Sequence, residues 1–106
     1  MNKKVEIIEI VKDIQDIDKQ IRAEYPSIEQ LQNINIKAKA KFPKETSEYE
    51  IANSLISGNS TMTPINVAPA NILLNRLPFY RNLYINELRK KCDEEEYFEI
   101  LKEHKI

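Results

Sequence analysis

The amino-acid sequence predicts an all-α fold, a compact bundle of four to six helices with one long irregular loop around residues 58–69. Five isoleucines stand at positions 7, 10, 14, 17 and 21, in alternating steps of three and four residues that place them on one stripe of a helix. The chain holds a single glycine, Gly58, so positions suited to the tight turns of β-hairpins are scarce. Both observations favour helices joined by short polar connections.

The isoleucine stripe defines the first helix, predicted over residues 4–24. Tyr25-Pro26 ends this helix because the residue before a proline is disfavoured in the helical region. The stripe suits packing inside the chain's own bundle or a short coiled-coil seam between copies. Ile8 and Val11 widen it beyond the two positions per heptad of a seam, which favours packing inside the bundle.

A second helix is predicted from Ile28, with Ser27 as its N-cap and Gln30 completing a capping-box pattern. Four apolar residues are predicted on its buried side: Ile28, Leu31, Ala38 and Phe42. The run from 33 to 42 also alternates polar and apolar residues, as a half-buried strand does. Alanine and lysine recur in this run and favour the helix.

A third helix is predicted after Pro43, which ends the second one. Thr46 or Ser47 is the expected cap and Gly58 the C-terminal stop. The apolar residues of this helix are Tyr49, Ile51, Ala52, Leu55 and Ile56. Residues 58–69 combine small polar residues with two prolines, which predicts the irregular loop.

A fourth helix is predicted to open at Pro69, a residue that suits the first turn. Pro78 is predicted to kink or break it, because proline lacks a backbone N–H and clashes with the preceding turn. A fifth helix then runs from Phe79 to about Lys91. One face of it carries Tyr80, Leu83, Tyr84 and Leu88.

The last segment, residues 93–105, either continues the fifth helix or forms a separate one. Neither glycine nor proline separates the two. Asp93, with Glu96 three residues on, repeats the capping pattern. This pattern favours a break near Cys92.

Length and composition indicate a single helical domain over residues 1–106. Cys92 is the lone cysteine, which excludes an internal disulfide framework and predicts a reducing, cytoplasmic location. Charges interrupt the N-terminal apolar run, so neither a membrane span nor a signal peptide is expected. The preference for lysine over arginine and the many isoleucines and asparagines suggest a bacterial or phage origin.

The sequence contains few side chains suited to catalysis or metal binding. It therefore predicts a protein that is not an enzyme and binds neither a cofactor nor a metal ion. His104 is the single histidine and has no histidine partner for a metal ion. Cys92 and His104 form a nucleophile–base pair only if the fold brings them together, and no motif supports this. The acidic row Glu9, Asp13 and Asp16 is interpreted as an ordinary solvated helix face.

A basic cluster supports the alternative function, a helical nucleic-acid-binding module. Phosphate binding requires cations that share one face. On a helix Lys37, Lys41 and Lys44 align, whereas Lys39 points elsewhere. The net charge of −1 argues against a general attraction to nucleic acid.

The predicted function is that of a small intracellular regulatory or assembly protein that binds another protein or itself. Long loops in compact domains are often functional, and aromatic-rich faces are typical of interfaces. Homodimers are the commonest oligomers, so a homodimer is expected through the aromatic-rich face or the isoleucine stripe. The candidate partner-binding residues are Met62, Ile65, Val67, Tyr80, Tyr84 and Leu88.

Overall fold

Five helices account for most of the residues that the structure describes, and together they form an all-α bundle. The computed structural model describes the backbone of residues 3–58 and 69–106 and the side chains of residues 3–52 and 72–106. The helices are α1 (Lys3–Arg22), α2 (Ile28–Lys41), α3 (Pro43–Gly58), α4 (Pro69–Lys91) and α5 (Glu94–Glu103). The predicted fold class is confirmed. The predicted loop lies outside the described residues except for its ends, which belong to α3 and α4.

Three of the helices, α1, α2 and α4, build the hydrophobic core. Among the side chains that the structure describes, twelve apolar ones are buried: Ile10, Val11, Ile14 and Ile17 of α1, Leu31, Ile34, Ala38 and Phe42 of α2 and its C-cap, and Leu77, Tyr80, Tyr84 and Leu88 of α4. The centre of the isoleucine stripe therefore packs inside the bundle, as predicted. The helices α3 and α5 flank this core, and α5 has no buried residue.

Two ion pairs fix the register of the antiparallel contact between α1 and α4. Near one end, Lys91 Nζ lies 2.9 Å from the Glu6 carboxylate, and the hydrogen bond between them lowers the pKa of Glu6. Near the other end, Arg81 Nε lies 2.7 Å from the Asp18 carboxylate. Ion pairs at the protein surface contribute little to stability, so the core supplies the stability and the pairs align the helices.

A buried glutamine joins α1 to the start of α2. The Ser27 Oγ accepts a hydrogen bond from the Gln30 backbone N–H at 3.4 Å, so Ser27 caps α2 as predicted. The Ser27 backbone N–H donates to Gln20 Oε1 at 3.0 Å, and Gln20 Nε2 donates to Gln30 Oε1 at 2.5 Å. In a capping box, the side chain of Gln30 would accept a hydrogen bond from the Ser27 backbone N–H. Here the side chain of Gln20 accepts that bond instead.

The buried side of α2 differs at one position from the prediction. Ile28 was expected to be buried but is 48% exposed, because it begins the helix, beyond the end of the packed face. Ile34 enters the core in its place. The segment from 33 to 42 is helical up to Lys41, so the strand alternative is wrong.

The junction between α2 and α3 also differs from the prediction. Pro43 is the first residue of α3, a position where its missing N–H costs nothing, so neither Thr46 nor Ser47 is the cap. Thr46 lies inside the helix at 2% exposure, and its hydroxyl donates to the Phe42 carbonyl at 2.6 Å.

The apolar face predicted for α3 is formed only in part. Tyr49 stacks on Phe79 of α4, with ring centroids 4.1 Å apart. Ile51 is 58% exposed, because it follows Tyr49 by two positions and so points about 200° away around the helix. Ala52 is exposed too, and the apolar side chains at positions 55 and 56 lie outside the described set.

Of the kink or break predicted at Pro78, the break is wrong, because α4 is one continuous helix of 23 residues. Pro78 is exposed, whereas Leu77 and Tyr80 beside it are buried. The backbone hydrogen bond that proline cannot donate is therefore lost on the outer side, while core contacts hold the helix together.

The predicted break near Cys92 is confirmed. The helix α4 ends at Lys91, and α5 begins at Glu94. Asp93 is the N-cap of α5, and its carboxylate accepts a hydrogen bond from the Glu96 backbone N–H at 2.8 Å.

A Schellman motif closes the C-terminal end of α5. The Ile106 N–H donates to the Leu101 carbonyl at 2.9 Å, and the Lys105 N–H donates to the Lys102 carbonyl at 3.4 Å. Lys105 has a φ of 55°, in the left-handed region that glycine usually occupies in this motif.

Replacing Lys105 by glycine is therefore expected to stabilise the protein by about 0.5–1 kcal/mol, because glycine adopts the left-handed conformation without the steric cost that the lysine Cβ incurs. Urea denaturation measures the change. Lys102→Gly, within the helical last turn, should destabilise by a similar amount. Equal effects from both substitutions would contradict the placement of Lys105 at the left-handed position of the Schellman motif.

Candidate functional site: a groove between α1 and α2

An open groove runs between α1 and α2, with a residue of α4 at its floor. It has two adjoining parts, of about 440 and 590 Å³. Four residues line both parts: Asp13, Asp16, Lys37 and Tyr84. The helices α1 and α2 run antiparallel on either side of it, since Gln20 contacts Gln30 and Asp13 contacts Lys37.

Apolar side chains form the floor of the groove and part of its rim. Ile17 and Tyr84 are almost fully buried, and Ile34 is 8% exposed. Ile36 stands on the rim at 63% exposure. Among these apolar residues, Ile36 is therefore the one that water reaches freely.

The two charge rows noted in the sequence face each other across the groove. The acidic row of α1 lines one wall, interspersed with lysines at positions 12 and 19. Lys37 and Lys41 of α2 line the other wall. The rim therefore carries both signs of charge around an apolar floor.

Asp13 is a half-buried carboxylate with one cationic partner. Its side chain is 19% exposed, and its carboxylate lies 3.5 Å from Lys37 Nζ. The Lys37 side chain is 66% exposed, so water surrounds most of it. Burial raises the pKa of Asp13 more than Lys37 lowers it. Asp13 is thus not the solvated residue that the sequence indicated, because α2 covers this side of α1.

Tyr84 presents a hydroxyl to the groove from inside the core. The residue is 1% exposed, and its ring meets Phe42 edge-on with centroids 5.1 Å apart. Its hydroxyl makes no hydrogen bond to another described residue. Burial, and the negative charge of Asp13, raise the pKa of Tyr84, so the hydroxyl stays protonated.

The other residues predicted for partner binding are not on the described surface. Tyr80 and Leu88 lie in the core at 1% and 0% exposure, and the Tyr80 hydroxyl donates to Asn35 Oδ1. A partner or second copy cannot reach this face or the middle of the isoleucine stripe without opening the fold. The remaining candidates, Met62, Ile65 and Val67, lie outside the described residues.

The basic cluster is partly neutralised. Lys37 pairs with Asp13, and Lys39 Nζ lies 2.7 Å from the Glu50 carboxylate on α3. Lys41 and Lys44 are exposed. Lys39 points away from the other lysines, as predicted, and the ion pairs weaken the face as a phosphate-binding surface.

Cys92 and His104 are not brought together. They lie at opposite ends of α5, separated by about 15 Å of helix. The Cys92 thiol donates to the Leu88 carbonyl at 3.0 Å, and burial raises its pKa, whereas an activated thiol has a lowered one. Among the described residues, no group of three acidic, histidine or cysteine side chains is placed to hold a metal ion.

No known protein family, curated protein or solved structure matches the chain. None of the described helices combines the length and apolar character needed to cross a membrane.

The half-buried Asp13 leads to a pH-dependent prediction. A raised pKa means that the folded protein binds this proton more tightly than the unfolded chain does. Ionisation of Asp13 therefore lowers stability, and protonation restores it as the pH falls toward the usual carboxyl value of 3.8. Asp13→Asn removes this dependence. At neutral pH we expect the variant to be as stable as the wild type or up to about 1 kcal/mol more stable, since an exposed lysine contributes little to the pair.

Urea denaturation of both proteins between neutral and acidic pH measures the difference. The wild type should gain stability relative to Asp13→Asn as the pH falls. A wild type that loses stability relative to the variant over this range would show that Lys37, not burial, dominates the environment of Asp13.

Proposed function

We propose that the protein is a non-enzymatic interaction module that binds a segment of a partner protein in the groove between α1 and α2. The rim of the groove supports this most directly, because the exposed Ile36 stands there among charged residues of both signs, and peptide-binding grooves combine apolar contacts with a polar rim. Ile36, at 63% exposure, would be covered by such a segment. Such a protein would act as a regulator or assembly factor, because it would affect its partner by binding and not by catalysis.

A protein partner fits the groove better than a nucleic acid. Three carboxylates line the groove together with four lysines, and the carboxylates repel phosphates. The lysines at positions 37 and 39 are engaged with Asp13 and Glu50. Retention on a polyanion column at about 0.15 M salt, lost on mutation of these lysines, would favour nucleic acid instead.

Selection from a random dodecapeptide library, with the full chain as bait, tests the proposal. Two exposed isoleucines provide matched variants, because Ile36 lines the groove and Ile51 on α3 does not. Selected peptides should bind Ile51→Glu as they bind the wild type. We expect Ile36→Glu to bind them about tenfold more weakly, a loss of about 1.4 kcal/mol.

Equal affinities for Ile36→Glu and Ile51→Glu would place the contact outside the groove and contradict the proposal. Light scattering over a tenfold dilution series tests self-association. A dimer that dissociates in Ile36→Glu but not in Ile51→Glu would identify the partner as a second copy, because only Ile36 lines the groove.

A further inference from the structure

We infer that the part of α3 after Thr46 is a replaceable internal ligand, and that the surface beneath it is a binding site for an acidic segment of a partner protein. This surface, the α2–α4 site, consists of Asn35 and Lys39 of α2 and Arg76 and Phe79 of α4. None of these residues lines the groove between α1 and α2, so the inference goes beyond the proposed function.

Side chains alone connect α3 to α4. Wherever both helices are described, their Cα atoms stay more than 8 Å apart. Tyr49 stacks on Phe79, and a carboxylate oxygen of Glu50 lies 3.2 Å from Arg76 Nη1. Two adjacent residues of α3 therefore make the printed contacts with α4.

The helix α3 is packed closely at its start and loosely after it. Of its described side chains, Thr46 is the buried one, and its hydroxyl donates to the Phe42 carbonyl. Further along, Ile51 and Ala52 are exposed. Partly exposed ion pairs and single aromatic contacts each contribute little, so a partner of suitable chemistry can compete with α3 for the α2–α4 site.

The charges of the α2–α4 site require an acidic occupant. Lys39 Nζ lies 2.7 Å, and Arg76 Nη1 3.2 Å, from the same oxygen of Glu50. No other described carboxylate lies within 4.0 Å of either cation. If Glu50 moved away with α3, two neighbouring cations would be left without a counter-charge, which disfavours an empty site. A carboxylate from a partner would replace Glu50 in both ion pairs.

The α2–α4 site is positioned without the help of α3. Arg76 Nη1 also donates to Asn35 Oδ1 at 3.4 Å, and the Tyr80 hydroxyl donates to the same oxygen from the core. A guanidinium group held in this way binds a carboxylate in fixed directions. The ring of Phe79 offers a stacking surface nearby, as its contact with α3 shows. The matching ligand is therefore a segment in which an aromatic residue stands next to an acidic one.

A fluorescently labelled peptide of residues 47–58 is the probe, because it carries both Tyr49 and Glu50. In the full chain, Glu50→Gln weakens the internal contact, so this variant should bind the peptide at least tenfold more tightly than the wild type does. Glu48→Gln makes the same change of charge at an exposed position of α3 and should bind like the wild type. Adding Arg76→Gln to Glu50→Gln should abolish the gain. Fluorescence anisotropy measures these affinities.

Hydrogen exchange and thermal unfolding show how α3 is released. In Glu50→Gln, exchange should accelerate in α3 after Thr46 and stay unchanged in α1. Loss of the fold, or faster exchange throughout the chain, would overturn the inference, because α3 would then be an indispensable part of the core. Equal peptide affinities of the wild type and Glu50→Gln would also overturn it, as would a gain that survives Arg76→Gln. If Arg76→Gln unfolds the chain, Lys39→Gln provides the same readout at the more exposed cation.

Discussion

Replacing Tyr84 by glutamate is expected to unfold the protein. Tyr84 is 1% exposed and packs against Phe42 in the core. A glutamate there would place a carboxylate in the core, and the nearby charge of Asp13 would repel it. An unpaired buried charge costs several kcal/mol, a large part of the 5–15 kcal/mol that typically stabilises a small domain. Circular dichroism should show loss of the helical signal or a much lower midpoint of thermal unfolding.

Tyr84→Phe is the matched control. It keeps the ring and removes a hydroxyl that has no hydrogen bond to another described residue, so stability should stay within about 1 kcal/mol of the wild type. Wild-type helicity and an unchanged midpoint in Tyr84→Glu would show that Tyr84 lies on the surface. That result would restore the aromatic-rich face as a candidate interface.

Local signals in the sequence predicted the fold well. Ser27 and Asp93 cap α2 and α5 as their spacing indicated, because a cap depends on residues only three positions apart. The centre of the isoleucine stripe packs in the core together with Val11, whereas Ile8, which also widened the predicted stripe, is 46% exposed. Both features depend on residues that lie within a few helical turns of one another in the sequence.

The partner-binding face could not be predicted in the same way. A stripe such as Tyr80, Tyr84 and Leu88 shows that an apolar face exists, and leaves open what covers it. In this fold α1 and α2 cover it, so the residues predicted to bind a partner became core residues. Pro78 failed as a helix stop for a related reason, since the buried contacts of its neighbours outweigh the lost hydrogen bond.

The groove was not predicted from the sequence, where the acidic row of α1 was interpreted as a solvated helix face. The short connection after α1 favours an antiparallel α2 but does not determine which faces of the two helices meet. The floor of the groove could not be predicted, because Tyr84 belongs to α4 and is far from α1 and α2 in the sequence.

The centre of the core provides the remaining prediction. Ile14 is 0% exposed and lies in the middle of the α1 stripe, among the buried residues of α2 and α4. Ile14→Ala should lower the free energy of unfolding by about 2–5 kcal/mol, the range for large-to-small changes in a core, because the bundle cannot close the resulting cavity fully. Urea denaturation measures the loss as a shift of the midpoint with an unchanged slope.

The control for this substitution must lie on the solvated side of α1. Asp13 does not, since it is half-buried beside α2. Gln15 is exposed, and Gln15→Ala should change stability by less than about 0.5 kcal/mol. If Ile14→Ala cost no more than Gln15→Ala, the stripe would not face a core. The groove, whose floor includes Ile17 on the same stripe, would then lose its structural basis as well.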